Sequence, residues 1–155
     1  TCNMVRAGII MYGYPSSDTT LDKIDIKPIA KLMSKINYIK VIDKDESVSY
    51  GAVYHANKKE WIATIPIGYA DGFDRRFSHY GGEVLVRGKR CPVVGNVCMD
   101  QAMIDITGTD AQVGDIAEVF GDHLPIAELA NKLGTIPYEV LTSISHRVQR
   151  VYINE

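Results

Sequence analysis

Four short segments hold most of the side chains that could do chemistry: Val48-Ser49-Tyr50-Gly51, Pro66-Ile67-Gly68-Tyr69-Ala70-Asp71-Gly72, Val97-Cys98-Met99-Asp100-Gln101 and Gly134-Thr135-Ile136-Pro137-Tyr138-Glu139. Three of them set a tyrosine beside Gly or Pro. A positioned phenol can act as a general acid or base, and Gly beside it permits a bend where Pro restricts one. Tyrosine also packs well on strands with its hydroxyl in water, and a neighbouring Gly serves a bend or bulge more often than a ligand. Met99 taken alone reads as core. His55, His79, His123 and His146 lack metal-ligand spacing, and Cys2, Cys91 and Cys98 contain no Cys-x-x-Cys pair, so no metal site is predicted.

The elements that must position these segments are mainly strands. With 155 residues, 46% hydrophobic and 23% charged, the chain can bury one globular core. A net charge of -2 offers no basic field for nucleic acid or anionic lipid. The longest uncharged apolar stretch, Ala7 to Tyr14, is far short of the ~20 residues that span a bilayer. An odd set of cysteines fits a reducing, cytoplasmic setting.

Strand-like runs are predicted at Ile29–Ile42, Ser47–His55, Glu60–Ile67, Glu83–Val86, Cys91–Ile106, Ile116–Phe120 and Arg147–Ile153. Turn signals separate them at Asp43-Lys44-Asp45, Asn57-Lys58, Gly81-Gly82 and Gly108-Thr109-Asp110. One helical period stands out, Pro125–Leu133, with Pro at its start and Gly134 at its stop. The fold class expected is mainly β: an antiparallel, barrel-like domain with one or two short helices. Before it, the apolar run from Met4 to Gly13 reads as a strand buried on both faces, the kind found in parallel barrels. A (β/α)8 barrel takes ~250 residues, so the run is expected to be a severed last barrel strand. The predicted organisation is residues 1–14 as that remnant, 15–25 as a polar linker and 26–155 as the β domain.

The ordered set of segments resembles alanine racemases. Asn3 to Gly13 is similar to the last barrel strand of that family, and Ser49-Tyr50-Gly51, Gly68-Tyr69-Ala70-Asp71-Gly72 and Cys98-Met99-Asp100-Gln101 follow in the family's order. Gly134 to Glu139 and Ser145-His146-Arg147-Val148 resemble its C-terminal pattern, so the likeness covers nearly the whole chain. The resemblance implies the C-terminal domain of an enzyme that interconverts L- and D-alanine with pyridoxal 5'-phosphate (PLP), for peptidoglycan precursors. It implies that Arg6 donates to the PLP ring nitrogen, and that backbone at Gly8 and Ile9, with the Tyr138 hydroxyl, contacts the phosphate. Tyr50 corresponds to the base on one face of the substrate, opposite the PLP lysine. Tyr69 and Met99 reach, like Tyr50, into the site of a homodimer partner, and the Met99 segment contacts the substrate carboxylate with Asp100 in support. Arg75 and Ile136 resemble positions at the substrate entrance.

Two departures qualify what the resemblance implies. The family commonly has Arg three residues before the motif's Met, where this chain has Asn96, which leaves serine racemisation as a related activity. The lysine that holds PLP lies outside this chain, so the fragment alone is expected to be inactive. The other readings weighed are the β domain of a PLP amino-acid decarboxylase and a dimerisation module.

Overall fold

Alternation of branched and polar residues decides where strands form. In β6 (Glu83–Val86) and β8 (Ala102–Asp105), every second side chain is buried, which places one face on the core and the other toward solvent. The computed structural model describes residues 2–15 and 25–153. Its remaining strands are β1 (Leu32–Lys35), β2 (Tyr38–Ile42), β3 (Ser47–Val48), β4 (Tyr54–His55), β5 (Glu60–Ile65), β7 (Lys89–Val94) and β9 (Ile116–Phe120). Of the nine described strands, seven form an antiparallel sheet ordered β1-β9-β6-β7-β8-β5-β2, and β3 pairs with β4 apart from it.

The edges of this sheet meet in one stretch of chain. Only Ile36 and Asn37 separate β1, which pairs with β9, from β2, which pairs with β5. Ile36 N–H donates to Asp115 O at 2.9 Å, and Asn37 N–H donates to Thr64 O at 3.0 Å. The sheet therefore curls, bringing its two edge strands together in consecutive stretches of chain. Its inner face carries Ala63, Ile65, Val84, Val86, Ile104 and Ala117, all fully buried.

The predicted helix forms as α1 (Ile126–Leu133), stopped by Gly134 in the left-handed conformation at φ 67°. Ile126, Leu129, Ala130 and Leu133 are its buried residues, at the spacing that gives one apolar stripe. A second helix, α2 (Pro137–Ser143), starts on Pro137 and packs against α1. The hairpin β6–β7 turns on Arg87 and Gly88, both at positive φ, as a two-residue primed turn requires.

Five expected strands differ, the first being Ile29–Ile42, which begins only at Leu32 and breaks at Ile36 and Asn37 into β1 and β2 because its halves pair with different strands. Residues 4–13 are not a strand: Gly8–Tyr12 is a 3-10 turn bracketed by Gly8 at φ 61° and Gly13 at φ 79°, with Ile9 buried and Met4, Val5, Met11 and Tyr12 exposed. A strand needs a hydrogen-bonded neighbour, and none of the described strands lies beside this run. Arg147–Ile153 is not a strand either. Arg150 donates to the carbonyls of Ile144, Ser145 and Val148, which closes the end of the chain after α2 as a turn. Cys91–Ile106 is interrupted by a loop between β7 and β8, and Ser47–His55 by a 3-10 turn at Tyr50–Ala52. The linker expected at 15–25 falls mostly on residues 16–24, outside the described residues. No described helix is long and apolar enough to cross a membrane.

One buried acid holds the β9–α1 connection. Glu118 accepts from the N–H of His123 (2.9 Å), the N–H of Leu124 (3.0 Å) and the His123 ring (3.2 Å). Burial alone would raise its carboxyl, but these donors outweigh burial and hold it below the ordinary 4.5. Its folded value is depressed, so the stabilisation is complete above the unfolded value and is lost as pH falls through the folded one. Glu118→Ala is expected to lower stability by about 1–3 kcal/mol at neutral pH, with the gap to the parent narrowing on acidification. Urea midpoints across the acid range check both parts.

Candidate active site

Three loops at one rim of the curled sheet carry the segments singled out above. The first joins β3 to β4. Ser49 sits at φ 74° and ψ 172°, Gly51 at φ 76° and Ala52 at φ 48°, a bend tight enough to lift Tyr50 into solvent at 78% exposure. Non-glycine residues at positive φ cost about 1–3 kcal/mol each, so other contacts must hold the bend. They come from the loop after β7. Ser49 Oγ accepts from Asn96 N–H at 2.9 Å and donates to Asn96 O at 3.0 Å, while Asn96 Nδ2 donates to Tyr50 O at 3.0 Å.

The second loop follows β5 and contains the 3-10 turn Tyr69–Asp71. Tyr69 N–H donates to Cys98 O and Ala70 N–H to Met99 O, both at 3.0 Å. Gly68 makes this approach possible. A Cβ there would lie 2.3 Å from Cys98 O and 2.4 Å from Met99 O. Asp71 accepts from Gly68 N–H at 2.8 Å and closes its own turn. Arg147 then joins the second and third loops, with Nε 2.9 Å from Asp71 Oδ1 and a further ion pair to Asp100.

Together Tyr50, Tyr69, Arg75 and residues 96–101 line a shallow open cavity of about 420 Å³. That volume suits a small molecule. A second hollow of about 400 Å³ shares Tyr50, Cys98 and Gln101 and adds Ser49 and Met103. Met99 and Tyr69 stay 53% and 44% exposed at the rim, so apolar groups face outward beside a cation, Arg75. Two other tyrosines are set apart by chemistry. Tyr14 is raised by burial and then by Asp122, and Tyr54 by burial and then by its 2.6 Å bond to Glu60, so both are held as neutral phenols and neither is a candidate base.

The remaining predicted residues lie outside that cavity's lining. Gly8 and Tyr138 form a separate pair: a Cβ built on Gly8 would meet only the Tyr138 hydroxyl, at 4.0 Å. Ile9, next to Gly8 in sequence, is buried, and Arg6 is exposed. Ile136 is 57% exposed and does not line the cavity, whereas Arg75 does. Sequence reasoning did not assign Ser49, Asp71 or Arg147 to the site. Asp71 and Arg147 both stand in quoted motifs, but an ion pair between residues so far apart leaves no mark in a single sequence.

The chain matches the model of the family described as alanine racemase, C-terminal domain, over residues 29–152. It is 47% identical over 153 residues to alanine racemase of Desulfovibrio desulfuricans, covering 97% of this chain and 41% of that protein. It is 48% identical over 158 residues to alanine racemase 2 of Caldanaerobacter subterraneus, covering 97% and 40%. Among solved structures, alanine racemase of Clostridium difficile 630 superposes with a TM-score of 0.92 at 47% identity, covering 97% of this chain and 40% of that one. The chain thus spans about two fifths of the length of these relatives. The Gly68 contact gives a direct test of the rim. Gly68 has φ -143°, open to any residue, so Gly68→Ala acts through steric conflict alone and is expected to cost about 1–3 kcal/mol, read as a lower urea midpoint.

Proposed function

The chain belongs to the alanine racemase family through its C-terminal domain, and on that premise we propose that it forms the substrate-facing wall of a PLP enzyme that interconverts L- and D-alanine. The observation that carries this reading is the meeting of Tyr50, Tyr69 and Met99, from three distant stretches, around one small cavity with Arg75. Racemisation requires a proton to leave one face of the α-carbon and return on the other, which takes two groups on opposite sides. Tyr50, raised on a strained bend and open to solvent, serves as the group on one side. The PLP lysine, outside this chain, serves on the other. Met99 and Asp100 frame the carboxylate end of the substrate, and Tyr69 narrows the rim.

The residues present suit the cofactor. Gly8, without a side chain and at positive φ, leaves its backbone open beside the Tyr138 hydroxyl, and an amide and a phenol are donors that would suit a phosphate. Bound PLP supplies a sink for the charge that builds at the α-carbon as its proton leaves. Arg6, permanently protonated, would donate to the ring nitrogen without releasing its proton, which would keep that sink weak and limit side reactions. Gly8, Ile9 and Tyr138 would hold the phosphate, and the product D-alanine would feed peptidoglycan precursors.

The cavity is open, and the large groups at its rim face outward, which supports a homodimer in which each site is finished by the partner subunit. Full-length protein loaded with PLP tests the assignment. Tyr50→Phe is expected to lower racemisation by about 10²–10⁴-fold, the usual contribution of one acid–base group, and to affect one direction of α-proton exchange in D2O more than the other. Equal activity of parent and variant would make Tyr50 structural.

A further inference from the structure

We propose that Asn96 and Ser49 form a clasp that positions Tyr50, so that Asn96 acts on the reaction through the tyrosine's backbone as well as lining the cavity. The inference rests on the reading of Tyr50 given above. Its basis is a closed set of hydrogen bonds between two loops far apart in sequence. Ser49 Oγ both accepts from and donates to the backbone of Asn96, at 2.9 and 3.0 Å, and Asn96 Nδ2 donates to the carbonyl of Tyr50 at 3.0 Å.

This clasp grips the residues that most need it. Ser49 and Ala52 hold positive φ without being glycine, a conformation that persists only where surrounding contacts over-determine it. The opposing loop is shaped to fit: Gly95 is at φ 70°, and a Cβ there would lie 2.5 Å from Ser49 Cβ and 3.0 Å from Val48 O. Tyr50 itself is mostly in solvent, so side-chain packing does not fix it. Its position comes through the main chain, and Asn96 is the side chain that holds the Tyr50 carbonyl. A guanidinium at position 96 would add charge to the cavity. The amide instead reaches the tyrosine's backbone.

Hydrogen exchange and kinetics on the full-length, PLP-loaded protein separate the parts. Asn96→Ala and Asn96→Asp, which remove the Nδ2 donor, are expected to speed amide exchange in residues 47–55 by about fivefold to tenfold, the loss of one hydrogen bond, with other regions unchanged. The same variants are expected to lower kcat about fivefold to tenfold with little change in KM, and to add nothing in a Tyr50→Phe background. Asn96→Ser, a shorter donor, is expected to recover part of the protection. Unchanged exchange in 47–55 would overturn the clasp. Faster exchange with unchanged kcat, or equal losses with and without the Tyr50 hydroxyl, would overturn its positioning role. Full activity of Tyr50→Phe itself would instead refute the catalytic reading of Tyr50, while the exchange data would still judge the clasp.

Discussion

The rim depends on one close approach. The chain at Gly68 comes so near the carbonyls of Cys98 and Met99 that two backbone hydrogen bonds form, from Tyr69 and Ala70, where any side chain at position 68 would collide. Through that contact the loop after β5 and the loop after β7 become one unit. Arg147, paired with Asp71 and Asp100, reinforces it from the C-terminal stretch. The Arg147–Asp100 pair is exposed and contributes little by itself, while Asp71 is buried under the half-exposed guanidinium, so the backbone contact sets the geometry and the guanidinium supports it.

The curled sheet supplies a rigid base for these loops. Because β1 and β2 are two halves of one run, the sheet fixes the relative places of β5, β7 and β8, whose ends carry the rim. β3 and β4 stand outside that sheet, and their loop is the most strained of the three. It follows that Tyr50 needs a separate tether, which Ser49 and Asn96 provide. A rigid scaffold carrying loops of distinct stiffness is a common arrangement for a site that must admit a ligand and then act on it.

Much of this was legible in the sequence. Strand-like composition placed β6 and β9 at their observed bounds, and Pro125 with Gly134 bracketed α1, because these signals are local. The four unusual segments were visible as departures from strand composition, and three of them converge on the cavity. What escaped was non-local. The apolar run 4–13 has a strand's composition, yet two glycines at positive φ and the lack of a strand neighbour turn it into a 3-10 segment. Arg147 lay within a run that scored as strand, and its pairing with Asp71 and Asp100 depends on a fold that periodicity does not convey. Asn96 stood out only as a missing arginine, and its bond to Tyr50 O became visible once the two loops were adjacent.

In the proposed function, Tyr50 reaches a substrate held partly by another surface. The most direct measurement is a crystal structure of the full-length protein with PLP and alanine. The proposed role requires a dimer in which the Tyr50 hydroxyl lies about 3–3.5 Å from the substrate α-carbon, on the face opposite the lysine. A Tyr50 hydroxyl remote from every bound substrate in both subunits would contradict it.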